Sequence, residues 1–217
     1  MRSLLETFRK YNFIKLELRG EIPEEEEKGL IPFLGRERKL TFGEIERILV
    51  SAERSAGIAG VIVSMSGLRI GLARANSLRR RLLFLRRRGK RVFVYLESGG
   101  NVEYLIASGG ESIYMPPWSM LNLIGLGAEV TFLKDLLDKV GVSARLKGYG
   151  EYKSAAETFT RSSISEAHRE MVDSILGSLR TQLEESITEG RGSRVRDIRA
   201  LIDKGPFVAP SALVEGL

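Results

Sequence analysis

Three short stretches hold the side chains able to do covalent chemistry. Ser98-Gly99-Gly100 has the letters of a strained turn that presents a serine hydroxyl. A glycine-rich turn with a helix-capping serine reads the same way and is the plainer alternative. Gly150-Glu151-Tyr152-Lys153-Ser154-Ala155 places Lys153 in a loop just before a long helix. A serine hydroxyl attacks poorly until a neighbouring base takes its proton. A lysine is such a base only when burial or nearby positive charge disfavours its ammonium form. Tyr152, Ala155, Ala156 and Phe159 are the residues that could desolvate Lys153, although a loop lysine taken alone is an exposed one. Ser154, beside it, reads as a turn residue. The third stretch, Ser165-Glu166-Ala167-His168, opens the long helix and carries the single histidine. A helix N-terminus disfavours imidazolium but does not build a triad, so His168 is expected to be an ordinary surface residue.

Other chemistries fall away on composition. The 217 residues include no cysteine, so thiolate nucleophiles and thiolate metal sites are excluded, and one histidine cannot make a histidine-rich metal site. Neither a phosphate-cradling GxxxxGK[ST] nor a dinucleotide GxGxxG is present, so no cofactor is expected. With 43% hydrophobic and 29% charged residues the chain reads as soluble and globular. Its net charge of +6 is concentrated in Arg79-Arg80-Arg81 and Arg86-Arg87-Arg88, which flank Leu82 to Leu85. That pattern is the solvated face of an amphipathic helix, with contact to an anionic membrane surface as the alternative. No stacking platform or motif accompanies the arginines, so nucleic acid is not an expected partner.

The elements that must position these residues alternate between strand and helix. Strands are predicted at 13–18, 61–65, 92–96, 112–115 and 142–146, from short apolar or alternating runs bounded by glycine. Thr41-Phe42-Gly43-Glu44 has the form of a capping box and opens a helix to about Ser55. Further helices are expected through Leu78, Leu82 and Leu85, over 102–107 and over 131–140. Residues 21–40, with Glu24 to Glu27 and two prolines, read as an exposed loop. The chain beyond 165 is helical: a long amphipathic helix to Glu189, then shorter ones near 194–203 and 210–217. The fold class is therefore α/β, a mostly parallel sheet with flanking helices and a helical C-terminal part, in one domain over 1–217. The apolar end, Val214 to Leu217, reads as an interrupted sequence or a docked terminal helix.

Gly150 to Arg161, Gly-Glu-Tyr-Lys-Ser-Ala-Ala-Glu-Thr-Phe-Thr-Arg, resembles the G-x-Y-K-S-A-x-E-P-F-T-R stretch of the signal peptide peptidase A family. Gly125 to Val130, Phe132 to Val142, Ile202 to Phe207 and Ala212 to Leu217 are similar to segments of that family in the same order. The resemblance runs from about residue 60 to the end, with Thr158 standing where the family usually has proline. It implies a ClpP/crotonase-like fold and a serine–lysine peptidase with Lys153 as general base. In the family's longer members the lysine comes from one half and the serine from a second, related half.

The family's serine precedes a stretch ending Y-Y-x-A-S, which Tyr104-Leu105-Ile106-Ala107-Ser108 matches. Counting back puts Asn101 at the nucleophile position, and asparagine cannot attack there. The oxyanion donors would come from Ser66 to Leu72, where Gly67 and Gly71 stand without the usual paired glycines. Three readings follow. The chain supplies Lys153 to a serine from a C-terminal half or another chain; or it is a non-catalytic scaffold of the same fold; or it is self-contained, with Ser98 as nucleophile. The resemblance further implies extended apolar peptides such as signal peptides as substrates, homo-oligomeric assembly, and an inner-membrane setting facing the periplasm or outside.

Overall fold

The computed structural model describes residues 12–24, 40–146, 150 and 152–217. Most of the loop expected over 21–40 lies outside these residues. The described residues group into two compact units, one drawn from 12–124 with Leu183–Leu217 and the other from Gly125–Gln182.

In the first unit, β1 (Asn12–Glu21), β2 (Ile58–Arg69), β3 (Arg91–Leu96) and β5 (Ser112–Tyr114) form a parallel sheet in the order β1-β2-β3-β5. Its register aligns Leu16 with Val63, Val63 with Val94 and Val94 with Ile113. Because side chains alternate across a strand, Leu16, Leu18, Val61, Val63, Met65, Val92, Val94 and Leu96 all fall on one face, and all are buried. The helices α1 (Phe42–Arg54), α2 (Leu72–Arg87) and α3 (Asn101–Ala107) supply Ile45, Leu49, Leu78, Leu82, Leu85, Leu105 and Ile106 to the same core. The predicted capping box opens α1: Glu44 N–H donates to Thr41 Oγ1 at 3.2 Å and Thr41 N–H to Glu44 Oε2 at 2.9 Å.

A second, three-stranded sheet joins β4 (Gly99–Gly100), β6 (Met120–Asn122) and β7 (Phe207–Val208). β4 runs parallel to β6, and β6 antiparallel to β7. The long helix α6 (Glu166–Arg191) ends in this unit, followed by α7 (Ile198–Lys204) and α8 (Ala209–Val214).

The arginines of α2 hold that end of α6. Arg79 is 3% exposed and donates to Ser186 O at 2.8 Å and to Glu189 Oε2 at 2.9 Å. Arg87 reaches Glu189 Oε1 at 3.0 Å, and Arg86 donates to Gly110 O at 3.0 Å. Arg81 and Arg88 flank the Phe84 ring. Much of the basic run is thus engaged within the unit, more closely than a merely solvated face would be.

The second unit contains α4 (Lys134–Lys139), a 3-10 turn (Ser154–Ala156), α5 (Glu157–Thr160) and the first four turns of α6. Leu133 N–H donates to Thr158 O at 2.6 Å, and Ser162 Oγ to Asp135 Oδ1. The strand expected over 142–146 is not formed; no partner strand pairs with it among the described residues, and Val142 and Leu146 are half exposed. None of this unit's described residues is fully buried. No helix among the described residues is long and apolar enough to cross a membrane.

Candidate active site

Asn101 and Glu103 occupy the first turn of α3, directly after the two-residue strand β4. A side-chain amide sets an NH2 donor beside a carbonyl acceptor, much as a backbone N–H and C=O are set in a strand. Asn101 uses both: Nδ2 donates to Ile124 O at 2.8 Å, and Ile124 N–H donates to Oδ1 at 3.0 Å. Gly100 pairs with Asn122 in the preceding ladder step, so the side chain extends the β4–β6 pairing by one more rung. That double contact uses the amide's NH2 and carbonyl together. Asparagine at the expected nucleophile position therefore has a structural task.

Glu103 was not anticipated from the sequence. It is buried, and its two carboxylate oxygens accept backbone N–H groups from separate strands, Leu68 of β2 at 2.9 Å and Gly100 of β4 at 3.0 Å. Gly67 has φ of 55° inside β2 and Gly71 caps α2. The N–H that follows Gly67, that of Leu68, is thus already committed to Glu103. The signal in the sequence was a glutamate at the third position of a helix that follows Gly-Gly, a place where a carboxylate folds back on the backbone.

Ser98 precedes β4 and is exposed. Tyr104, one residue after Glu103, is buried, and burial pushes its phenol up to about 12 against the opposing effect of the Arg191 guanidinium. It titrates too high to serve as a base near neutrality.

Lys153 lies in the second unit, just before the 3-10 turn. It is exposed, and its backbone N–H donates to Gly150 O at 3.3 Å. Its neighbours in sequence are anchored to α6. Tyr152 Oη donates to Glu170 Oε2 at 3.1 Å. Glu157 accepts from the Ser165 hydroxyl and, at 3.2 Å, from the Ser165 N–H. His168 corrects the expectation of a surface histidine: its side chain is 12% exposed, with Nδ1 3.1 Å from Glu157 Oε2. The segment bearing Lys153 is bracketed by these contacts, while Lys153 itself reaches into solvent.

The Ser165 hydroxyl, with the Ser165 N–H and His168 adding to it, holds the Glu157 carboxyl below the usual carboxylate range against the opposing effect of burial. A carboxyl depressed in the folded state stabilises it above its unfolded pKa, and that contribution is lost as pH falls through the folded value. The stability difference between the parent chain and Glu157→Gln is therefore expected to be full at about pH 6–7 and to shrink below about pH 4. Urea unfolding at stepped pH checks this; a difference that grows on acidification would contradict it.

Among the described residues no cluster of His, Asp and Glu is suited to a metal ion. The chemistry present is thus one exposed lysine, one exposed serine and a carboxylate holding two backbone donors. The sequence pattern of Peptidase family S49 matches residues 85–217, well over half the chain, and the matched span contains Ser98, Asn101, Glu103 and Lys153. The chain belongs to peptidase family S49.

Two relatives set the scale of this S49 chain. Serine protease SPPA, chloroplastic, of Arabidopsis thaliana is 26% identical over 199 residues, covering 92% of this chain and 28% of that protein. Protease 4 of Salmonella typhi is 30% identical over 129 residues, covering 59% of this chain and 20% of that protein. The chain thus spans less than a third of the length of either. Among solved structures, an enoyl-CoA hydratase/isomerase family protein from Silicibacter pomeroyi is similar, at 14% identity over 80% of this chain and 87% of that one. The TM-score is 0.33, too low to bear on the site.

Proposed function

We propose that this chain is the lysine-supplying part of a serine–lysine endopeptidase. Lys153 acts as general base towards a serine carried by a second, homologous half or by another chain. The observation that carries this reading is the contrast between its two candidate stretches. The lysine motif is present from Gly150 to Arg161, whereas the position matched to the nucleophile is an asparagine bonded to the Ile124 backbone. The backbone donors beside it are bonded to Glu103.

The reaction needs a neutral amine. Nζ takes the proton from the serine Oγ as that oxygen bonds to the scissile carbonyl carbon, and the resulting ammonium gives the proton to the departing amine. A water then attacks the acyl-enzyme, giving its proton to the same nitrogen, and the ammonium returns that proton to the serine Oγ as it leaves the acyl carbon. Burial is what makes the neutral amine of a lysine available, so this cycle requires a surface that covers Lys153. The second unit is suited to being covered. None of its described residues is fully buried, and Leu136, Val140, Leu146, Tyr152, Phe159 and Ile175 are 41–66% exposed. Apolar surface of this kind is what an assembled interface removes from water.

Extended apolar peptides, signal peptides among them, are the proposed substrates. A homo-oligomer at a membrane, facing away from the cytoplasm, is the proposed setting. Both come from the family resemblance. Labelling by a serine-reactive fluorophosphonate tests the central claim. The chain alone is expected to remain unlabelled, and addition of a serine-bearing half from the same protein is expected to bring labelling of that half. Labelling of the chain alone that is lost in Ser98→Ala would instead establish a self-contained site.

A further inference from the structure

Glu103 has a place in the molecule that the proposed reaction does not use. Glutamate is seldom buried without a partner, yet this one is 8% exposed and has no ion pair among the described residues. Its neighbours are the two N–H groups, Leu68 on Oε1 and Gly100 on Oε2. They belong to different strands, β2 and β4, whose donors converge on one carboxylate. Convergent backbone N–H groups are how proteins hold an anion or a developing oxyanion. Glycine makes room for the arrangement: a Cβ at Gly99 would stand 3.2 Å from Glu103 Cβ.

We infer that the N–H groups of Leu68 and Gly100 form a carboxylate-binding cradle that Glu103 fills from within. The resident carboxylate keeps both donors occupied, one on each oxygen, so neither is free for a substrate carbonyl in this half. Asn101 closes the nucleophile position and Glu103 the donor position, as two independent locks. With the Glu103 side chain shortened, the cradle accepts a small carboxylate from solution, of the size of formate or acetate. This claim concerns the first unit alone and stands whether or not Lys153 serves as a base.

The test is chemical rescue in Glu103→Ala. Two buried N–H groups lose a charged acceptor, and the melting temperature is expected to fall by roughly 5–10 °C. Sodium formate at a few times its dissociation constant, compared with sodium chloride at equal ionic strength, is expected to restore about 2–4 °C. The parent chain is expected not to respond. A variant that melts with the parent, or that responds equally to formate and chloride, would overturn the inference. Should Glu103→Ala fail to fold, Glu103→Gln keeps the shape but turns an NH2 group towards one donor. Faster hydrogen exchange at Leu68 or Gly100 in that variant is the expected result, and parental protection at both amides would overturn the inference.

Discussion

Replacing Lys153 by alanine in the assembled enzyme is expected to lower peptide hydrolysis by about 10²–10⁴-fold, the usual contribution of a positioned general base. The melting temperature of the isolated chain should not change, because there Lys153 is exposed and, among the described residues, bonds through its backbone N–H to Gly150 O. Loss of rate without loss of stability separates a chemical role from a structural one. Lys153→Arg sharpens the comparison: arginine keeps the positive charge but does not lose its proton near neutrality, so it is expected to fail as alanine does. Fluorophosphonate labelling of the serine-bearing half should fall in parallel, since labelling needs the same deprotonated oxygen. If labelling and hydrolysis are unchanged in both variants, the chain is a scaffold and Lys153 a relic of the fold.

The first unit was largely legible in the sequence because its signals are periodic and local. Val61 to Met65 and Val92 to Leu96 are apolar runs, and they lie in the central strands, the first of which extends further, from Ile58 to Arg69. The Thr41–Glu44 capping box appeared where its letters stood. Strands β4, β6 and β7, of two or three residues each, are too short to show any alternation. Residues 142–146 fail in the opposite sense: the run has strand-like residues, but a strand exists only where another pairs with it. The site divides the same way. Lys153 was visible through a motif, whereas the link between His168 and Glu157, 11 residues apart, exists only once α5 and α6 have formed. Glu103 stood at a capping position relative to Gly100, but its other partner, Leu68, is 35 residues away and no pattern joins the two.

Gly190→Ala should be among the most destabilising single substitutions in the first unit, and Gly177→Ala in the same helix should have the opposite sign. Alanine is favoured over glycine within a helix by about 1 kcal/mol, so propensity alone would make both substitutions stabilising. Packing decides otherwise at position 190. A Cβ there would stand 2.3 Å from Ser108 O and 2.8 Å from Ser108 C, and a backbone carbonyl cannot turn aside as a flexible side chain would. Ser108 is fully buried and its hydroxyl donates to Leu105 O at 2.7 Å, while Arg79 holds α6 through Ser186 O and Glu189. Neither partner can retreat without breaking those bonds. Overpacking of this kind costs about 3 kcal/mol, more than the propensity gain. At Gly177 nothing lies within 4 Å of the added Cβ, and a gain of about 0.5–1 kcal/mol is expected. Urea unfolding of the two variants beside the parent measures both. Because Ser108 caps the helix whose first turn holds Asn101 and Glu103, strain from Gly190→Ala should also speed hydrogen exchange at Gly100. Equal stabilisation by the two alanines would mean that α6 does not press on α3 at this point.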